Sequence, residues 1–206
     1  DGARVMARVR SERDRFVGFV LDDMRPLEPR HLLRGRARFV AANELQVETP
    51  DGTLRVQAGR IVIATGSRPA VPAAWRATLG ERLIVNDDVF DWAELPRAVA
   101  VVGTGVIGLE LALALHRLGV RVRLLGRGAT VGPLTDPVLA VLAARLFDAA
   151  LPLQREAEVL GVQRHGDEVE LHWRGPGGAD DAHRERFDFL LAATGRRPNV
   201  DDLGLE

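Results

Sequence analysis

The stretch Gly103-Thr104-Gly105-Val106-Ile107-Gly108 carries glycine at the three positions where a phosphate-binding turn needs it. In such a turn the first glycine permits a tight bend, the second lets backbone approach a pyrophosphate, and the third allows a helix to pack closely on a strand. The apolar run 98–102 before the turn reads as a strand, and residues 106–118 after it as a helix, which is the context the motif requires. Free N–H groups of Val106 to Glu110 would then face negative charge at the helix start. About 20 residues on, where NAD-binding domains carry an acid for the adenine ribose hydroxyls, the chain has Leu125-Gly126-Arg127-Gly128. Nothing there repels a 2′-phosphate and Arg127 is suited to pair with it, which favours NADP. Arg127 also reads as one more solvated arginine, so NAD and NADP both stay open.

The elements that must position this turn follow from periodicity. Val5, Val9, Phe16 and Val20 recur at helical spacing, so residues 3–21 read as an amphipathic helix. Residues 36–40, 44–49 and 53–58 alternate as short strands, with Pro50-Asp51-Gly52 as a tight turn, giving an antiparallel meander. The continuous apolar character of residues 60–66 suggests a strand buried on both faces. Residues 71–96 are proline-interrupted and read as a linker. After the glycine turn and its helix, Gly119 acts as a stop and residues 120–125 form the next strand. A helix at 137–149, strands at 153–156, 158–164 and 168–173, a Gly175-Pro176-Gly177-Gly178 turn and a buried strand at 187–193 complete the reading.

Ala64-Thr65-Gly66-Ser67-Arg68-Pro69-Ala70-Val71 and Ala193-Thr194-Gly195-Arg196-Arg197-Pro198-Asn199-Val200 match at six of eight positions, each after a meander and an apolar segment. That points to duplicated architecture. In the second copy the glycine turn lies 90 residues before Ala193, and the same offset from Ala64 falls before residue 1. The expectation is a fragment of a longer protein. Its fold class is α/β: a Rossmann-like, doubly wound NAD(P)-binding domain with a β-meander at 97–206, preceded by a truncated dinucleotide-binding half of the same type at 1–70.

Composition narrows the classes. A length of 206 residues with 46% hydrophobic content suffices for a packed core, and a net charge of −1 lacks the basic excess of a nucleic-acid binder. All 28 basic residues are arginine, which reads as compositional bias. With no cysteine, the chain holds no disulfide, thiolate nucleophile or cysteine-ligated metal. No apolar run reaches the roughly 20 residues of a membrane span and no signal peptide opens the chain, so a cytoplasmic location without membrane attachment is expected. His31, His116, His165, His172 and His183 show no metal-ligand spacing, and no metal or catalytic residue is expected in this chain.

With its glycine turn flanked by two Ala-Thr-Gly-x-Arg-Pro stretches, the chain resembles the pyridine nucleotide-disulfide oxidoreductases, and among them the dihydrolipoamide dehydrogenases. The resemblance implies that residues 1–70 are the truncated C-terminal part of an FAD-binding domain, in which Thr65, Gly66, Ser67 and Ala37 line the flavin site. It implies that Gly195 lies beside the nicotinamide nucleotide, that Val159 flanks its adenine, and that Glu110 stands near the nicotinamide carboxamide. Val106 sits where glutathione reductases carry an aromatic gate. The family's redox-active cysteine pair, its first glycine turn for FAD and its histidine-bearing dimerisation domain are absent here, and Gly126 stands where an NAD-specific member carries an acid. The reading is a nicotinamide-dinucleotide-binding fragment, inactive alone, of a parent homodimer that moves hydride between NAD(P)H and FAD and on to a disulfide or dithiol. The alternatives are an FAD-dependent ferredoxin- or quinone-linked reductase without redox cysteines, and a non-catalytic NAD(P)-sensing module.

Overall fold

The computed structural model describes residues 1–205. In chain order its first elements are α1 (Gly2–Met24), β1 (Arg36–Ala41), β2 (Glu44–Thr49), β3 (Gly52–Gln57), β4 (Ser67–Pro69), α2 (Ala73–Leu79) and β5 (Leu83–Ile84). Then come β6 (Ala98–Val102), α3 (Val106–Arg117), β7 (Arg121–Leu125), α4 (Pro137–Ala150) and β8 (Leu153–Gln154). The last are β9 (Glu158–His165), β10 (Glu168–Arg174), β11 (Ala182–Phe187), β12 (Phe189–Ala192) and β13 (Arg196–Pro198). Contacts divide the chain into a larger unit, residues 1–11 with 69–195, and a smaller one, residues 12–68 with those from Arg196 on.

The larger unit is built on a five-stranded parallel sheet in the order β5-β12-β6-β7-β8. Strand β6 alternates alanine and valine, and both sets are buried, because both faces of the sheet are covered. Val99 and Val101 pack with Leu109, Ala112 and Leu115 of α3. Ala98 and Ala100 face the other way, toward Val169, Leu171 and Trp173 of β10 and Phe187 of β11. Strands β9, β10 and β11 form an antiparallel meander that supplies this second cover. Helix α3 ends where Gly119 takes a φ of +89°, a left-handed conformation that glycine adopts without strain. Helix α4 starts at Asp136, whose Oδ1 accepts the N–H groups of Val138 and Leu139 at 2.8 and 3.0 Å.

The smaller unit holds the meander β1-β2-β3, in register Ala37 to Val47 and Val47 to Leu54. Strands β4 and β13 pair in a two-stranded sheet, so the two repeated sequence stretches lie side by side. Asn199 ties them: its N–H donates to the Gly66 carbonyl at 3.0 Å and its Nδ2 to the Thr65 carbonyl at 3.0 Å.

The fold is α/β and Rossmann-like, and the long helices, the first meander and the first two strands of the second lie where periodicity places them. Four segments differ. Residues 60–66 form no strand, and Val62 is 88% exposed, because no strand lies beside this segment among the described residues to complete its ladder. Residues 71–96 contribute α2 and β5 to the larger unit, so they are built into its sheet and cover. The expected strand at 187–193 is interrupted at Asp188, where the chain leaves β11 for β12. Strand β11 itself was not anticipated, since its sequence Ala-His-Arg-Glu-Arg-Phe hides the alternation behind charge.

Asp188 joins that corner to the start of β6. Its carboxylate accepts the Arg97 and Ala98 N–H groups at 2.6 and 2.9 Å and the Arg97 guanidinium at 3.0 Å. Burial pushes the carboxyl up, but the hydrogen bonds from Ala98 and Arg97 outweigh it and hold it below the usual carboxylate range. Asp188→Ala is expected to cost about 1–3 kcal/mol in urea unfolding, because the buried Ala98 N–H is left without an acceptor. The depressed folded pKa makes this contribution fully present above the ordinary carboxylate value of about 3.9 and lost as pH falls through the folded value. Wild type and variant should therefore converge in stability only under acid conditions.

Candidate nucleotide-binding site

The turn between β6 and α3 emerges at the point where the sheet order reverses, with β7 on one side of β6 and the returning strand β12 on the other. Gly103 takes a φ of +120°, and a Cβ there would lie 2.1 Å from the Ala193 carbonyl oxygen. The Gly103 N–H donates to the Leu125 carbonyl at 2.8 Å, and the Ala193 N–H to the Val102 carbonyl at 2.8 Å, so the ends of three neighbouring strands are locked together. A Cβ on Gly108 would lie 1.9 Å from the Gly103 carbonyl oxygen, which fixes the start of α3 directly on the turn.

Gly105 differs from both. It caps α3 with φ −71° and ψ 176°, an extended conformation open to any residue, and a Cβ built there meets no atom within 4 Å. Val106, Ile107 and Gly108 open α3, so their N–H groups have no helical acceptor, and no side chain caps them. The expected set of free donors is thereby shortened: the Leu109 N–H already donates to the Gly105 carbonyl at 3.0 Å, and Glu110 lies beyond the first turn. Three aligned donors beside an open, side-chain-free backbone, at the positive end of a helix of 12 residues, fit a pyrophosphate.

Gly126 follows β7 and packs against Thr104: a Cβ on it would sit 2.5 Å from the Thr104 Cγ2. An acidic residue at 126 would require the threonine to change rotamer, which gives a steric reason for the missing carboxylate. The next residue, Arg127, is exposed and has no hydrogen bond or ion pair among the described residues. By contrast Arg155, near the same loop, is committed to Asp148 at 2.9 Å and to the Ala129 carbonyl at 2.7 Å. Glu110 and Val106 are exposed on α3, and Gly195 follows β12 with a φ of +119°. Val159, on β9, is half-buried against the core cluster that contains Leu125 and Ala157.

Thus Gly103 to Gly108, Gly126 and Arg127 are gathered around the C-terminal ends of β6 and β7, with Gly195 just beyond that of β12 and Glu110 farther along α3. Ala37, Thr65, Gly66 and Ser67 belong to the smaller unit. There Thr65 Oγ1 donates to the Asn199 carbonyl at 2.7 Å, and the Ser67 hydroxyl accepts from Arg196 Nε at 2.7 Å. Sequence reasoning did not find Ala193, whose carbonyl makes Gly103 obligatory, or the packing of Thr104 on Gly126. The signal for the first was the repeat itself, which marks the end of the strand adjoining the turn.

A profile of the pyridine nucleotide-disulphide oxidoreductase family matches residues 30–206. The chain belongs to that family. It is 29% identical over 176 residues to a dihydrolipoyl dehydrogenase of Geobacillus stearothermophilus, covering 85% of this chain and 36% of that protein. It is 35% identical over 159 residues to a mycothione reductase of Mycobacterium tuberculosis, covering 74% of this chain and 33% of that protein. Among solved structures it resembles an HOCl-induced flavoprotein disulfide reductase of Escherichia coli, a cysteine-to-serine mutant in complex with Cu(II). That likeness has a TM-score of 0.75 at 25% identity and covers 98% of this chain and 45% of the other. The chain spans about a third of the length of the curated relatives it matches. Enzymes of this family are oxidoreductases that use FAD and NAD(P)H.

The three glycines should separate in their response to a methyl group. Gly103→Ala and Gly108→Ala each force a Cβ into backbone and are expected to lose about 3 kcal/mol or more. Gly105→Ala is expected to stay within about 0.5 kcal/mol of wild type. Chemical unfolding of the three variants measures the difference.

Proposed function

We propose that this chain supplies the nicotinamide-dinucleotide-binding part of a flavin-dependent oxidoreductase. In that enzyme NAD(P)H gives hydride to FAD, and FAD exchanges electrons with a disulfide or dithiol. The observation that carries the reading is the Gly105 opening, bordered by three uncapped N–H groups at the sheet's switch point. The family membership supports the flavin and the disulfide or dithiol, both attributed to the intact protein.

The roles follow from place and chemistry. The N–H groups of Val106, Ile107 and Gly108 hold the pyrophosphate, and Gly105 leaves room for it. Gly126 and Arg127 face the adenine ribose, where the unpaired guanidinium suits a 2′-phosphate and the absent carboxylate leaves nothing to repel it, which favours NADP over NAD. Val159 flanks the adenine, Glu110 accepts from the nicotinamide carboxamide, and Gly195 passes beside the nicotinamide half. Val106, an aliphatic side chain at the helix start, leaves the nicotinamide pocket without an aromatic gate. The bound nicotinamide supplies the hydride chemistry; the protein's contribution is binding and orientation.

Ala37, Thr65, Gly66 and Ser67 are assigned to the flavin side. No glycine turn of the Gly103 type accompanies them in the smaller unit among the described residues, and the Thr65 and Ser67 hydroxyls are already engaged within the chain. These residues alone do not make a complete flavin site, so the 206-residue chain is proposed to bind nucleotide without turnover.

Fluorescence titration with NADPH and NADH tests the first half. NADPH is expected to bind more tightly, Arg127→Ala to weaken NADPH about tenfold while leaving NADH unchanged, and Gly105→Ala to weaken both without unfolding the chain. Tighter NADH binding in the wild type would overturn the NADP preference, and failure of both nucleotides to bind would overturn the site. Sustained NAD(P)H-dependent reduction of a disulfide by this chain with added FAD would contradict the second half.

A further inference from the structure

Among the described residues Glu156 is the one non-glycine with a left-handed backbone, at a φ of +55°. That conformation is strained for a residue that carries a Cβ, and it persists only where the surroundings over-determine it. Here they do. The Gly126 N–H donates to the Gln154 carbonyl at 2.9 Å, the Ala157 N–H to the Gly126 carbonyl at 2.8 Å, and the Glu156 N–H to the Gly128 carbonyl at 3.2 Å. Arg155 Nη1 donates to the Ala129 carbonyl at 2.7 Å. Residues 154–157 thus brace the loop that carries Arg127. The bracing accounts for every one of them except for the Glu156 side chain. Arg155 is paired with Asp148 of α4, and Ala157 is buried in the cluster that holds Leu125. Glu156 is exposed, and its carboxylate has no hydrogen bond or ion pair among the described residues. Glycine would make the same turn without strain, so the turn gives no account of the carboxylate.

We propose that Glu156 selects the base of the bound nucleotide, its carboxylate accepting a hydrogen bond from the exocyclic amine of adenine; the inference rests on the nucleotide site proposed above. On that reading Gly126 and Arg127 serve the ribose and Val159 flanks the adenine. Glu156 lies between them, tied by its backbone to the loop of the former and three residues before the latter in the chain. An ionised carboxylate only accepts hydrogen bonds, and the amine is the donor that adenine offers. The amine stands at the end of the base away from the ribose, so Glu156 and Arg127 attend to opposite ends of the adenosine and the acid does not confront a 2′-phosphate. A base with oxygen at that position, such as hypoxanthine, sets acceptor against acceptor, and a site built for a donor rejects it.

Fluorescence titration of the 206-residue chain with NADH and with reduced nicotinamide hypoxanthine dinucleotide, which carries an oxygen in place of that amine, tests the assignment. Neither ligand has a 2′-phosphate, so Arg127 does not enter the comparison. The wild type is expected to bind NADH about tenfold more tightly. Glu156→Gly is expected to bind the two equally and to unfold in urea no earlier than the wild type, since glycine relieves the left-handed strain. Glu156→Gln, which keeps an acceptor oxygen without the charge, should discriminate less than the wild type and more than Glu156→Gly. Equal binding of the two dinucleotides by the wild type, or a preference for NADH that survives Glu156→Gly, would overturn the role of Glu156 and leave the nucleotide site standing. Binding of neither would overturn the site itself, and this inference with it.

Discussion

Everything at the C-terminal edge of the parallel sheet depends on one close approach of backbone to backbone. The Gly103 Cα stands so near the Ala193 carbonyl that no Cβ fits between them, and the Gly103 carbonyl in turn touches the place where a Gly108 Cβ would be. Closing these two gaps lets β12, β6 and β7 end at one level, with the Gly103 N–H on the Leu125 carbonyl and the Ala193 N–H on the Val102 carbonyl. It also starts α3 immediately after the turn, so its uncapped N–H groups open onto that edge. A side chain at either glycine would separate strand from helix and move those donors away from that edge. Gly105 answers to no such demand within the protein: a Cβ built there meets no atom within 4 Å.

The sequence revealed the turn because glycine spacing, a preceding apolar strand and a following helix are three local signals that agree. The same is true of α1, α4 and the first meander, whose periods are carried by their own residues. Residues 60–66 show where local reading stops. Apolar content gave them the character of a buried strand, but a strand is a relation between neighbours, and among the described residues nothing pairs with Ile61-Val62-Ile63. Strand β11 shows the converse. Its charged residues would argue against a strand, yet Arg184 and Arg186 are exposed, Glu185 is half-buried against Arg121 and Arg123 of β7, and Phe187 enters the core.

Arginine bias made every single arginine weak evidence in the sequence, and the structure sorts them by what they already do. Arg121 and Arg123 share Glu185 and lie over the rings of Phe187 and Trp173, so their charge and their planes are spent on holding β7 to the second meander. Arg97 belongs to Asp188, and Arg155 to Asp148. Arg127 lacks such a commitment and follows directly on Gly126 at the end of a strand that borders the glycine turn.

The packing of Thr104 on Gly126 connects this arginine to the turn. In an NAD-type site the residue at the end of the second strand is an acid whose Cβ needs space beside the turn; here that space is filled by the Thr104 methyl group. Thr104 is held in turn, its carbonyl accepting the Gly132 N–H at 2.8 Å. Cofactor preference at such a site is therefore not set at position 126 alone. It is a property of the pair: restoring a carboxylate by Gly126→Glu would have to displace the threonine, while Thr104→Ala together with Gly126→Glu would give the acid room. On the function proposed above, the double variant is the one expected to turn the site toward NADH. On the same proposal, this steric relation between Thr104 in the glycine turn and Gly126 at the end of β7 is why neither position, read by itself in the sequence, decides between NAD and NADP.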